Sequence, residues 1–332
     1  MSGRLPVALD AMGSDSGPSV LVEGARLAAE QGVGVLLVGD PDRLGDVGSL
    51  PIKPASEVVE MGAEPAASVR RLKDSSIVRA AEAVRDGEAC ALVSAGNTGA
   101  AMAASLLRMG RIKGLTRPAI AVPFPVFGST ETTLLDCGAN AECQPEWLVQ
   151  FAEMGAVHNR VRFGVERPRV GLLTIGEEAG KGNQLVKDAA KLLEEPGWAA
   201  DVGAEYIGNV EGRDLMLGVC DVIVCDGFTG NVVLKSIEGA MLVARTQLRA
   251  AMASTPEGAQ ASEVIAPLIN PVIDRLDTEQ TGTALLLGVR GVSCISHGSS
   301  DAATIARSII TAAGIADDGI VDRLRDMIDS RS

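Results

Sequence analysis

Short apolar segments alternate with longer segments of helical character along almost the whole 332-residue chain. Short apolar runs that end in Gly, Asn, Asp or Ser are typical of buried strands. Their alternation with helices predicts an α/β fold with a doubly wound, mostly parallel sheet between helical layers, as one domain over residues 1–332. The predicted strands are Leu5–Asp10, Val33–Gly39, Ala89–Ser94, Ala119–Phe124, Thr132–Asp136, Arg169–Ile175, Val202–Tyr206, Val222–Asp226 and Val292–Ile295. The predicted helices are Pro18–Gln31, Ser75–Gly87, Asn97–Met109, Pro145–Val157, Gly182–Glu194, Ala302–Ala313 and Ile320–Ile328.

The composition indicates how the core is filled and argues against several kinds of partner and site. Aromatic residues make up only 2% of the chain, so Val, Ile, Leu and Ala must fill the core, as in parallel sheets covered on both faces. The net charge of −13 argues against nucleic acid as a partner, because nonspecific binding needs a basic surface. Six cysteines without Cys-x-x-Cys spacing favour buried thiols, and no metal site is expected. With no signal-peptide pattern and no apolar span of membrane length, we expect a cytoplasmic location.

The segment from Gly239 to Leu276 departs from this alternation, because two helical stretches follow each other without a strand. Each has an apolar stripe, and Pro267 and Pro271 are expected to kink or interrupt the second. An exposed pair of this kind needs a partner. A dimer contact is the first interpretation, core packing the second and lipid contact the third.

Small polar residues follow six of the predicted strands. In doubly wound sheets ligands bind beyond the carboxyl ends of the strands, so we expect these turns to meet at one sheet edge and form an anion-binding cleft. The alternative for each turn alone is an ordinary helix cap. The candidate binding residues are Asp10, Gly13, Ser94, Gly96, Asn97, Thr98, Asp136, Asn140, Glu177, Asn183, Asp226, Thr229, Gly230 and Ser299.

Several chemistries lack their sequence signatures. The chain has no Gly-x-x-x-x-Gly-Lys-Ser/Thr, no complete dinucleotide fingerprint and no Gly-x-Ser-x-Gly elbow. The two histidines are His158, which we expect to be solvated, and His297, for which a role in the site and a purely structural role are both open.

An anion-binding cleft without a protein nucleophile suits a reaction in which phosphate itself attacks. Phosphate is already anionic at neutral pH and needs positioning more than deprotonation. A thioester is a suitable acceptor, and amide groups can stabilise the oxyanion that forms. The candidate catalytic residues are Lys181 as the charge partner of phosphate, Asn231 as an amide donor and His297. The other interpretation of Lys181 is an exposed lysine at a helix start.

Eight ordered motifs resemble those of bacterial phosphate acyltransferases of the PlsX type, essentially from end to end. They are Ala8–Gly13, Lys73–Ser76, Val93–Ala100, Leu135–Asn140, Gly176–Asn183, Gly208–Arg213, Cys225–Asn231 and Ser296–Ser300. The resemblance implies transfer of an acyl group from acyl carrier protein to inorganic phosphate, the first step of bacterial phospholipid synthesis. It also implies a fold similar to isopropylmalate dehydrogenases and phosphotransacetylases, with no cofactor.

The resemblance further implies a homodimer with peripheral membrane contact, which passes its product to a membrane acyltransferase. Residues 239–280 are then the protruding dimer and membrane element. The sequence departs from the family at Thr281–Gly288, at Ala179 and Gly180, and in the acidic residues of the helical element. These departures affect the acyl pocket and the membrane affinity more than the reaction.

An acidic carrier protein needs a local cationic surface on a chain of this charge. The basic residues proposed for docking are Arg70, Arg71, Lys73, Arg79, Arg108 and Arg111. Solvated charged faces are the alternative interpretation. Two other functions remain open at this point, a phosphotransacylase that uses acyl-CoA and a noncatalytic scaffold that binds the carrier protein.

Overall fold

The computed structural model describes residues 4–126, 128–276 and 283–330, which form eleven strands in one sheet with helices on both faces. The strands are β1 (Val7–Asp10), β2 (Val35–Gly39), β3 (Ile52–Pro54), β4 (Ala91–Ser94), β5 (Ala119–Phe124), β6 (Thr132–Leu135), β7 (Arg169–Leu173), β8 (Glu205–Val210), β9 (Val222–Val224), β10 (Ala284–Leu287) and β11 (Val292–Ile295). The helices are α1 (Pro18–Glu30), α2 (Pro41–Leu44), α3 (Pro65–Arg71), α4 (Ser76–Arg85), α5 (Thr98–Ala104), α6 (Pro145–Phe163), α7 (Gln184–Glu194), α8 (Pro196–Val202), α9 (Gly227–Met252), α10 (Pro256–Leu276), α11 (Ala302–Asp317) and α12 (Ile320–Asp329). A π-helical turn, Ser105–Met109, continues α5.

The sheet has the order β3-β2-β1-β4-β11-β10-β5-β6-β9-β7-β8, and its direction reverses in the middle. Strand β10 pairs antiparallel with β11 and β5, and β5 pairs antiparallel with β6. The other pairs are parallel, which confirms the mostly parallel α/β fold. However, β1, β4 and β11 run opposite to β6, β9 and β7. The expectation that all six turns meet at one edge is therefore wrong.

Both faces of the sheet are buried, so its strands read as continuous apolar runs rather than alternating ones. Two clusters of mainly aliphatic side chains fill the layers between sheet and helices, and Phe124 and Phe151 are among their largest fully buried side chains. The predicted burial of thiols is confirmed for Cys137, Cys220, Cys225 and Cys294, whereas Cys90 and Cys143 are half-buried.

Two of the differences between the predicted and the observed elements have local causes. Residues 202–206 were expected to form a strand, but Val202 ends helix α8. Gly203 then takes a left-handed conformation (φ 64°) that stops this helix, and β8 starts at Glu205. Strand β10 was not predicted, because its Leu run adjoins a glycine turn and gives no alternating pattern.

The helical element begins earlier than expected. Helix α9 starts at Gly227, where the Asp226 carboxylate accepts a hydrogen bond from Thr229 N at 2.8 Å. Helix α10 continues through Pro267 and Pro271 without interruption and packs against α9. Residues 277–280 of the predicted element lie outside the described residues. No helix in the described ranges has the length and apolarity needed to cross a membrane.

His158 is buried with 4% of its surface exposed, so the expectation that it is solvated is wrong. Its ring meets Phe163 edge-on, with 5.5 Å between the ring centroids. Helix α6 continues to Phe163, beyond the predicted end at Val157, and thereby carries His158 into the interior. Burial, helped by nearby Arg162, lowers the pKa of His158 from 6.5 to about 4.

We expect this depressed pKa to make the protein less stable in acid. Between pH 6.5 and about 4 the unfolded chain binds a proton at His158 while the folded chain does not, so stability falls as the pH is lowered through this window. The loss reaches about 2.5 kcal/mol near pH 4.5. Urea unfolding at a series of pH values measures it. His158→Gln should lose this part of the pH dependence, and His297→Gln should keep it. An unchanged slope in His158→Gln would contradict the assignment.

Candidate active site

A cleft of about 260 Å³ lies over one face of the sheet where its direction reverses. Its floor is apolar and consists of Ile120, Val122, Ala284 and Ile295 from the central strands β5, β10 and β11. Polar side chains and glycines stand around this floor. They are Asp15, Gly96, Thr98, Asn231, Lys235, Glu238, Ser296, His297 and Gly298. The turns of the two half-sheets thus reach the cleft from opposite sides, across the face rather than along one edge.

The turns after β1 and β4 pack closely against each other, with backbone in contact with backbone. A Cβ on Gly13 would lie 3.0 Å from Gly96 Cα and 2.5 Å from Asp10 Oδ2, so no side chain fits there. Asp10 is 3% exposed and accepts a hydrogen bond from Ser94 Oγ at 2.8 Å. Burial raises the pKa of Asp10, and this hydrogen bond opposes the shift. Asp10 and Ser94 therefore shape the wall of the cleft from beneath.

The amide of Asn97 is used to hold a loop. Its Oδ1 accepts from Ala100 N at 2.9 Å and caps α5, while its Nδ2 donates to Met61 O at 2.7 Å. This bond fixes the loop from which Met61 reaches the cleft. Thr98, the next residue, is exposed and lines the cleft directly. Asn97 is thus a positioning residue here, and Thr98 is available to a ligand.

Asp136 organises the turn after β6. Its carboxylate is fully buried and accepts from the backbone N–H groups of Ile120, Gly138, Ala139 and Asn140, and from Asn140 Nδ2, at 2.7–3.2 Å. Burial raises the pKa of Asp136, and the hydrogen bonds oppose the shift. The Asn140 amide also donates to Pro118 O at 2.8 Å. The Asp136 and Asn140 side chains form their hydrogen bonds within the protein, so their effect on a ligand is indirect.

The first turn of α9 packs directly on the turn organised by Asp136. Asp226 accepts from both the N–H and the hydroxyl of Thr229 at 2.8 Å. Gly230 touches the backbone of Asp136 so closely that an added Cβ would lie 1.9 Å from its carbonyl oxygen. This contact brings Asn231 to the rim of the cleft. Within the described part of the chain, the Asn231 amide has no hydrogen-bond partner, so its donors are free for a ligand.

His297 and Ser299 follow β11 on the opposite rim. His297 Nδ1 and Ser299 Oγ are 2.7 Å apart, and the Ser299 N–H points to the same ring nitrogen at 3.3 Å. His297 is exposed and lines the cleft. Of the three predicted catalytic residues, the structure thus brings Asn231 and His297 together.

Lys181 lies elsewhere, with Glu177 and Asn183. Lys181 and Glu177 line a separate hollow of about 320 Å³ beside α7 and β8. Lys181 Nζ is 3.9 Å from Glu178 Oε2, Glu177 pairs with Arg213 at 3.0 Å, and Asn183 caps α7. The structure does not group these three with Asn231 and His297, and the catalytic role of Lys181 stays a prediction.

Three further residues that were not predicted from the sequence, Cys137, Lys235 and Glu238, also line the cleft. Lys235 and Glu238 lie one and two turns beyond Asn231 on the same side of α9. Their spacing of four and seven residues indicates a shared helix face only if α9 is known to begin before Asn231. Cys137 also lines the cleft, but burial raises the pKa of its thiol well above the usual value, with Asp136 adding to the shift. Such a thiol is a poor nucleophile. In the described ranges no group of His, Cys, Asp and Glu side chains forms a metal site.

The predicted docking residues divide into free and paired ones. Arg70, Arg71 and Lys73 are exposed at the end of α3, and we name these three the basic patch. Arg79 pairs with Glu82 at 3.0 Å, and Arg108 lies 3.7 Å from the same carboxylate. Arg108 also approaches Val69 O at 3.4 Å, which joins the two sequence clusters. Arg111 donates to Thr116 O.

Solved structures with the same fold include two phosphotransacylases. EutD phosphotransacetylase from Staphylococcus aureus superimposes with a TM-score of 0.59 at 17% identity, over 94% of each chain. A branched-chain phosphotransacylase from Enterococcus faecalis gives 0.61 at 14% identity, over 94% of this chain and 98% of the other. The predicted similarity to phosphotransacetylases is confirmed at the level of the fold.

Sequence relatives identify the family. The family described as "Fatty acid synthesis protein" matches residues 5–323. A phosphate acyltransferase from Acaryochloris marina is 43% identical over 331 residues, covering 97% of this chain and 95% of the relative. One from Pelotomaculum thermopropionicum is 46% identical over 335 residues, with 98% and 96% covered. The chain belongs to this family of enzymes, the phosphate acyltransferases, as the motifs predicted.

Proposed function

We propose that this enzyme transfers an acyl group from acyl carrier protein to inorganic phosphate and thereby starts bacterial phospholipid synthesis. The main support is the cleft itself, in which an apolar floor lies beside the free amide of Asn231. An acyl chain suits the floor, and the reacting carbonyl and phosphate suit the polar rim.

The reaction proceeds by direct attack. A phosphate oxygen forms a bond to the thioester carbonyl carbon, and the C–S bond then breaks and releases the carrier as a thiolate. We assign the Asn231 amide to stabilisation of the oxyanion and the His297 imidazole to protonation of the thiolate, because both side chains line the cleft. The protonated state of Cys137 favours this route over an acylated cysteine.

The test is phosphate-dependent release of free carrier protein from palmitoyl-acyl carrier protein, with the acyl phosphate trapped by hydroxylamine. The rate with palmitoyl-CoA is measured at equal concentration. A higher rate with palmitoyl-CoA would show that acyl-CoA, and not the carrier protein, is the preferred acyl donor. Binding of the carrier protein without turnover would favour a scaffold. A burst of acylated enzyme, detected by mass spectrometry of the intact protein, would contradict direct attack.

We propose that the basic patch docks the acidic carrier protein. The patch lies at the end of α3, whose start follows the loop that carries Met61 into the cleft. Since α3 has seven residues, the patch is about 10 Å from that loop. This spacing lets a docked carrier present its thioester to the cleft.

Reversing two charges of this patch should weaken docking selectively. Arg70→Glu/Arg71→Glu is expected to raise KM for acyl carrier protein roughly tenfold and to leave KM for phosphate unchanged. The matched control is Arg323→Glu/Arg325→Glu on α12, which changes the net charge equally at another exposed place. Steady-state kinetics at low and high salt measure both constants. Equal effects on the two substrates would count against docking at this patch.

The exposed apolar residues of α9 and α10 support our proposal of a homodimer with peripheral membrane contact. Leu242, Val243, Val264 and Leu268 are 55–75% exposed, which is a large apolar surface for one pair of helices. Acyl phosphate made beside a membrane reaches a membrane acyltransferase without crossing the cytoplasm.

Leu268→Glu should reduce binding to vesicles containing about 30% anionic lipid several-fold, because a carboxylate then opposes burial in the interface. Leu217→Glu is the control, since Leu217 is also exposed but lies outside α9 and α10. Flotation measures vesicle binding, and sedimentation equilibrium measures the dimer. Loss of the dimer with unchanged flotation would assign this residue to the subunit contact alone.

A further inference from the structure

The cleft contains a cation that the sequence motifs did not single out. Lys235 lies four residues after Asn231 and three before Glu238, so all three face the same side of α9. All three line the cleft. Among the described residues that line it, Lys235 is the one lysine or arginine.

The position of Lys235 is set by its neighbours. Its ammonium is 2.7 Å from the Glu238 carboxylate, whose side chain is 15% exposed, whereas the Lys235 side chain is 51% exposed. The buried carboxylate therefore holds the accessible ammonium at the rim. Gly138 lies beside Asn231, and a Cβ added there would be 3.5 Å from the Asn231 Oδ1 atom.

Phosphate entering this cleft needs a cation. Two carboxylates, Asp15 and Glu238, belong to the lining, and they repel an anion unless a positive charge offsets them. Lys181 does not fill this role in the structure, because it lines the separate hollow beside α7. The Asn231 amide has two N–H donors, so one can bind a phosphate oxygen together with the Lys235 ammonium while the other remains for the oxyanion of the reaction.

We propose that Lys235, together with Asn231, forms the phosphate-binding subsite of the cleft, and that Glu238 positions the Lys235 ammonium. This inference rests on the proposed function for the identity of the anion as a substrate. The charge partner of phosphate is then Lys235 in the third turn of α9, and not Lys181 in the loop after β7.

The test compares Lys235→Met and Lys235→Arg with the full-length wild-type enzyme. Lys235→Met is expected to raise KM for phosphate roughly tenfold or more, with less than about twofold change in KM for the acyl donor. Lys235→Arg keeps the charge and should recover part of the loss. Arg325→Met is the control, since Arg325 also pairs with an acid three residues away, Asp322 at 2.9 Å, but lies on α12, outside both the cleft and the hollow beside α7.

A second readout does not depend on turnover. Inorganic phosphate should raise the Tm of the wild type and of Arg325→Met at constant ionic strength, and should have little effect on Lys235→Met. If the wild type makes no acyl phosphate but shows this Lys235-dependent shift, the proposed function fails and the subsite stands. A normal phosphate KM and a normal shift in Lys235→Met would overturn the subsite. The subsite would also be overturned if Lys181→Met lost phosphate binding while Lys235→Met kept it.

Discussion

Gly230→Ala is expected to prevent stable folding or to cost several kcal/mol of unfolding free energy, about 4 or more. The added methyl would lie 1.9 Å from the Asp136 carbonyl oxygen and 2.9 Å from Cys225 Sγ, and neither neighbour can swing away. Because α9 is anchored at this point, its displacement would also carry Asn231 out of the cleft. Urea unfolding followed by circular dichroism measures the loss.

Gly239→Ala provides the control within the same helix. An added Cβ at Gly239 meets nothing within 4 Å, so the substitution should stabilise α9 by up to about 1 kcal/mol through helix propensity. If Gly230→Ala were as stable as Gly239→Ala, the close packing of α9 on the Asp136 turn would be wrong.

Asp136→Asn is the second substitution with a large expected effect, a loss of about 3 kcal/mol. The native carboxylate only accepts hydrogen bonds, and five N–H groups point at its two oxygens. An amide of nearly the same shape would turn an NH₂ group toward some of these donors, and buried donors would then lose their acceptor. Thermal and urea unfolding measure the change.

Asp226→Asn is the matched comparison for stability. Asp226 caps α9, and asparagine is an equally good cap, since its amide oxygen accepts the same Thr229 N–H bond. We expect a change within about 0.5 kcal/mol. Equal losses in the two variants would show that charge rather than hydrogen-bond geometry sets the stability at Asp136.

Local features that depend on neighbouring residues were predictable from the sequence. The α/β alternation, the limits of strand β5 and the start of α1 at Pro18 follow from short apolar runs and helix caps. Several turn residues, such as Asn97 and Asp226, proved to be caps and positioning groups, which was the plainer interpretation of each turn.

The reversal of strand direction was not predictable in the same way. Pairing of β10 with β5 joins residues more than 160 positions apart, and apolar runs carry no mark of direction. The edge on which Lys181 falls depends on that reversal, as does the joining of Asn231 and His297. The cleft therefore required the structure, although its rim residues lie in motifs that the sequence displays.

The place of β11 between β4 and β10 has a consequence for synthesis of the chain. The floor and rim of the cleft draw on residues from Asp15 to Gly298, and β11 joins the sheet in its interior rather than at an edge. A growing chain that has reached only the end of α9 has a gap where β10 and β11 belong. The complete cleft can therefore form only after Gly298 has been synthesised, and no N-terminal fragment that ends before this residue contains the whole lining.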